Sequence, residues 1–136
     1  MSERAIAYPF VPKSTRPLKR GQFWSIPLAS GLFGAGCVVG RESGEGKPSR
    51  RSFVAGVVCW LGTREPTAAD LEGLPLLRFA FAHLKVITES GGLILGEANL
   101  QFGEAPEAAE ALSLSTWGYG VPRVLAEKLA MNAVTQ

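Results

Sequence analysis

Apolar and polar positions alternate in blocks along this chain, and the blocks differ in period. From Phe23 to Gly40, two β-prone apolar runs flank an Ala-Ser-Gly turn at Ala29 to Gly31. That pattern predicts a hairpin with strands over 22–28 and 32–40. Pro27 has no amide donor, which places the first strand at an edge or bulge. Gly34, Gly36 and Gly40 in the second strand predict tight bending, or a neighbour packed close to the backbone. Residues 41–51 form a polar, Gly- and charge-rich loop, the segment expected to be most mobile.

Residues 52–61 are apolar almost without a break, which predicts a strand buried on both faces. Trp60 is expected to be the deeply buried tryptophan. Phe23 and Trp24 are adjacent and so should face opposite ways. Residues 65–73 read as a short helix, with Thr67 as cap, Asp70 three residues on and Gly73 at the end. Pro75, the aromatics and Gly91-Gly92 favour a strand over 76–88, and 92–96 reads as a short returning strand. A helical turn is expected over 106–112. Val121, Val124, Leu125 and Leu129 share one helical face, with Pro122 in the first turn.

Residues 1–20 read differently. Pro9, Pro12 and Pro17 forbid helix and central strand, so this is an extended arm, with Tyr8, Phe10 and Val11 available to anchor it. The expected organisation is an arm over 1–20 and a single α+β domain over 21–136. The fold class is α+β: a strongly bent antiparallel sheet or small β-barrel with one or two helices.

Composition narrows the function classes. With 136 residues and 46% hydrophobic content, the chain can bury a core without disulfide or metal support. Its net charge of +2 does not by itself imply a polyanionic partner. Cys37 and Cys59 sit in apolar runs and read as buried thiols of a reducing cytoplasm, with a cross-strand disulfide as the alternative. One histidine and no paired Cys spacing give no metal site. No secretory signal is visible and no apolar run is long enough to cross a membrane, so a cytoplasmic protein with no membrane partner is expected.

Reaction chemistry is not legible. His83 lies between Ala82 and Leu84, and no oriented partner or nucleophile stands near it in sequence, so a structural histidine is expected. The Gly31 to Gly36 run has neither P-loop spacing nor a following Lys-Ser/Thr, and it lies inside a strand. Hence no cofactor and no catalytic residues are expected, and the protein is read as not an enzyme. Lys13, Arg16, Lys19, Arg20, Arg41, Lys47, Arg50 and Arg51 flank the aromatic hairpin. They allow a second reading, a small β-barrel that binds nucleic acid through charge and stacking. Against it, the aromatics are needed in the core and Glu42 and Glu45 dilute the second cluster, so a nucleic-acid partner is disfavoured. Trp117-Gly118-Tyr119-Gly120 is either a binding surface or a capping turn with Trp117 tucked inward.

The hairpin also carries a resemblance. Gly21, Phe23, Ile26, Pro27, Leu28, Gly31, Phe33 and Gly36 resemble the opening of the immunity protein 26 family of bacterial polymorphic toxin systems. Phe79 to Ile87, then Leu93-Ile94-Leu95-Gly96 and Leu100, look similar to that family's central and following strands. The likeness spans residues 19–100 with interruptions. It implies a cytoplasmic immunity protein that binds and neutralises a cognate protein toxin. On that reading the partner-binding residues are expected to be Arg41, Glu42, Arg50, Arg51, Trp117 and Tyr119.

Overall fold

The computed structural model describes residues 7–43, 51–110 and 114–134. Its strands are β1 (Gln22–Pro27), β2 (Phe33–Ser43), β3 (Ser52–Val58), β4 (Leu76–His83), β5 (Gly96–Glu97), β6 (Ala108–Glu110) and β7 (Thr116–Trp117). The helices are α1 (Ala68–Leu71), α2 (Lys85–Thr88) and α3 (Val121–Val134). The strands make one seven-stranded sheet in the order β5-β1-β2-β3-β4-β7, with β6 added beside β2. The fold is therefore α+β, as the apolar pattern indicates. The sheet is open, not a closed barrel, and it is mixed. β6 runs parallel to β2, and β7 runs parallel to β4.

Alternation of side chains along the strands produces two apolar layers. Trp24, Ile26, Val38, Phe53 and Ala82 fill one, and α3 closes it through Ala126 and Ala130. Phe23, Cys37, Val39, Val54 and Phe81 fill the other, closed by Leu71 of α1 and by Ala98, Ala105 and Ala109. Phe23 and Trp24 thus face opposite ways, as expected. The glycines of β2 serve close approach. A Cβ on Gly34 would lie 2.8 Å from the Ala126 Cβ, and one on Gly36 would enter the Trp24 ring. One on Gly40 would run into the carbonyl oxygens of Pro106 and Glu107.

Several local expectations are corrected. Trp24, not Trp60, is the tryptophan with no exposed surface. β3 stops at Val58, and Trp60 lies beyond it where the chain turns, half-buried against the second layer. The strand expected over 76–88 ends at His83. There the Leu84 amide donates to the Arg51 carbonyl, and a helical turn follows. The turn expected over 106–112 is strand β6 at 108–110, with 111 and 112 outside the described residues. The Arg41 amide donates to the Glu107 carbonyl and draws this Ala/Glu stretch alongside β2, so tertiary pairing overrides its helical propensity. Residues 41–43 of the expected loop belong to β2, and 44–50 lie outside the described residues. In α3 the buried stripe is Pro122, Ala126 and Ala130, while Val124 is exposed. Small side chains win that face because the helix rests directly on Gly34.

Other expectations hold. α1 carries the full capping box between Thr67 and Asp70. The adjacent Arg64 guanidinium holds the Asp70 carboxyl down at about 2. Pro27 ends β1. β1 is not an edge strand, since β5 pairs with Gln22 and Phe23. Phe23 and Ser25 turn their carbonyls to the β5 side, however, so Pro27 places its missing donor on that outer side, beyond β5.

The described part of the arm, residues 7–20, is pinned to the sheet. Phe10 pairs with Ile94, and Leu18 is buried. Buried Gln22 accepts from the Lys19 amide at 2.8 Å and donates to the Pro17 carbonyl at 3.3 Å. Tyr8 packs on the first layer and donates to Glu97 at 2.7 Å, and desolvation with that carboxylate pushes its hydroxyl up to about 12. Val11 is exposed and does not anchor the arm.

Candidate functional site

The sheet register assembles a polar row that the sequence keeps apart. Arg41 pairs with Phe53, so the next residues outward on these antiparallel strands are Glu42 and Ser52. Ser52 in turn pairs with His83. Carboxylate, hydroxyl and imidazole therefore come from three adjacent strands, with Ser52 and His83 as direct cross-strand neighbours. They line a cleft of about 300 Å³ whose other wall is Thr116, Trp117 and Tyr119.

Local bonding fixes the groups at its mouth. The His83 Nδ1 accepts from the Lys85 amide at 3.1 Å, so the neutral ring carries its proton on Nε2 and presents a donor. The His83 and Tyr119 rings lie 5.7 Å apart at 60°. The Lys85 ammonium sits 5.4 Å from the centre of the Tyr119 ring. Tyr119 is thus 47% exposed and still held from two sides. Trp117 is half-buried against the first apolar layer.

This row does not have the order of a nucleophile–base set. In such a set the imidazole stands between hydroxyl and carboxylate and accepts the hydroxyl proton. Here serine is central, and one imidazole nitrogen is already engaged by backbone. The arrangement offers hydrogen bonds, one carboxylate and two aromatic faces, which suits recognition. Among the described residues no group of three or more His, Cys, Asp and Glu side chains could hold a metal ion.

The six residues expected at a partner interface divide. Glu42, Trp117 and Tyr119 converge on this cleft. Arg51 is exposed at its edge, next to Ser52. Arg50 lies outside the described residues. Arg41 is committed elsewhere: its guanidinium donates to the carbonyls of Arg16 at 2.7 Å and Leu18 at 2.6 Å and holds the arm. Arg20 is similarly engaged, 4.0 Å over the Phe102 ring. Phe23 and Trp24 are buried and present no face to a nucleic-acid base. Ser52 and Lys85 join the site although sequence reasoning left them out, and His83, read from sequence as structural, lines it too. Their only signal is position at the ends of apolar runs, which becomes meaningful once the register is known.

Both cysteines are free thiols. Cys37 is wholly buried, and desolvation pushes its thiol up to about 12, while Cys59 is half-buried with its pKa raised for the same reason. Among the described residues no helix is long and apolar enough to cross a membrane. Comparisons with protein-family models, with curated proteins and with solved structures gave no match.

Proposed function

We propose that this chain is an immunity protein, a cytoplasmic binding protein that neutralises a cognate bacterial toxin by covering part of its surface. The observation that carries this reading is the state of Tyr119. An exposed aromatic side chain, braced by His83 and Lys85 at the mouth of the Glu42 cleft, is what a binding hot spot requires. A braced ring loses little freedom when a partner closes over it. The likeness of the hairpin to the immunity protein 26 family supports the same reading, through Gly21, Phe23, Ile26 and their companions. The partner is a protein, and the action is occlusion rather than turnover.

The test is co-expression with a toxin encoded beside this gene. Growth should be restored, and the two chains should elute as a one-to-one complex. Tyr119→Ala should weaken that complex about tenfold or more while leaving the melting midpoint almost unchanged. A neighbouring toxin that kills regardless of this chain, or a complex indifferent to Tyr119→Ala, would remove the reading.

A further inference from the structure

Among the described residues, the outer side of β4 is paired only at its two ends. At one end the Gln101 amide donates to the Leu74 carbonyl at 2.8 Å, and Pro75 bridges Gln101. At the other, the Phe81 amide donates to the Ser115 carbonyl at 2.9 Å, and β7 pairs with Phe81 and Ala82. Backbone groups two residues apart on a strand point the same way. The N–H and C=O of Phe79 therefore face outward as those of Phe81 do, and no described residue pairs with them. A groove of about 480 Å³ runs along this gap, lined by Leu77, Arg78, Phe79, Phe102, Ser115 and Trp117.

We infer that this gap is a strand-addition site, where an extended segment of a protein partner pairs with β4 at Phe79 and sets a carboxylate against Arg78. The inference rests on the immunity reading for the identity of the partner. Its physical basis is separate from the Tyr119 cleft, although Trp117 lines both hollows. Open edge groups supply sequence-independent hydrogen bonds, and the side chains beside them supply selectivity. Leu77 is 37% exposed and offers an apolar contact. Arg78 is exposed, is the one ionisable residue lining the groove, and makes no ion pair or hydrogen bond with a described residue.

The charge also selects against a second copy of this chain. Pairing two β4 edges about a two-fold axis at the gap would bring Arg78 against Arg78, and like charges opposite one another destabilise a pair. An edge cation is a common guard against self-pairing. Here the same cation favours an acidic strand, so one residue rejects the wrong partner and recruits the right one.

The test uses the full chain and a synthetic strand. The probe is a fluorescein-labelled six-residue peptide that alternates valine with threonine and carries one central glutamate. Binding is read by anisotropy, and the Phe79 amide is followed by hydrogen exchange. The glutamate peptide should bind and slow exchange at Phe79. A peptide with lysine in place of glutamate should bind about tenfold more weakly. Arg78→Glu should reverse that order, and N-methylation of the peptide's inward amides should abolish binding. The proposal is overturned if the glutamate peptide fails to bind, or if Arg78→Glu leaves the order unchanged. It is equally overturned if the Phe79 amide is already protected in the free protein, or if the chain dimerises through this edge. The probe is not the toxin, so these failures leave the Tyr119 test standing. A toxin complex unaffected by Arg78→Glu would remove the edge site alone.

Discussion

Strands β3 and β4 are hydrogen-bonded neighbours of similar apolar composition, yet they have opposite fates. β3 is buried from Phe53 to Val58, with a strand on each side and an apolar layer on each face. β4 is buried only from Ala80 to Ala82, and its first half lies at the rim with Leu77 and Arg78 exposed. Hydrophobic character made both of them strands, but the number of neighbours decided what each side chain does. The exposed groups of β4 collect at the rim, beside a centre that is buried on both faces.

The sharpest way to break this comparison is through the tryptophans. Trp24→Ala, at the centre, should cost about 3–5 kcal/mol, with Trp60→Ala at the periphery costing clearly less. Chemical denaturation of the two variants checks this, and equal losses would erase the distinction between centre and rim. Next in size is Gly40→Ala. The obstructing atoms are backbone carbonyls of Pro106 and Glu107, which cannot swing aside as a side chain can, so a loss of about 1–3 kcal/mol is expected in the same melts. A neutral result would mean that β6 does not press on β2.

The smallest effect belongs to the rim and depends on pH. Arg64 and the Thr67 amide hold Asp70 at about 2, below its unfolded value of about 3.9. A depressed carboxylate contributes its stability above the unfolded value and loses it as pH falls through the folded one. Wild type should therefore lose a small margin between about pH 4 and pH 2 that Asp70→Asn lacks. Thermal melts of both proteins across that window decide the matter, and parallel curves would show the capping box to be energetically idle.

Local chemistry was readable wherever it was self-contained. The hairpin, the Thr67–Asp70 box and the Pro122 start of α3 each depend on residues a few positions apart. What stayed hidden depended on pairing across long separations. Residues 108–110 carry helical composition and become strand because β2 has an open flank there. The helix face of Ala126 and Ala130 looks weak until Gly34 is seen beneath it. For the same reason Glu42, Trp117 and Tyr119 could be named as surface candidates, while Ser52 and His83 could not. Their meeting is a fact of register, which no linear spacing expresses. Arg41 shows the converse, since a loop-edge arginine proves to be a strut for the arm.

The position of β1 has a consequence for how the chain reaches this state. Its outer flank is covered by residues far along the chain, where Gln22 meets Glu97 and Phe23 meets Gly96. During synthesis the hairpin can close early, but that flank stays uncovered until the sequence through Glu97 has emerged. Loop closure over such a span precedes any reward from the contact, which makes assembly slow for a protein of this size. The nascent chain is therefore expected to leave the outer flank of β1 open to other strands, and the rate of translation up to Glu97 sets the earliest moment at which that flank can close.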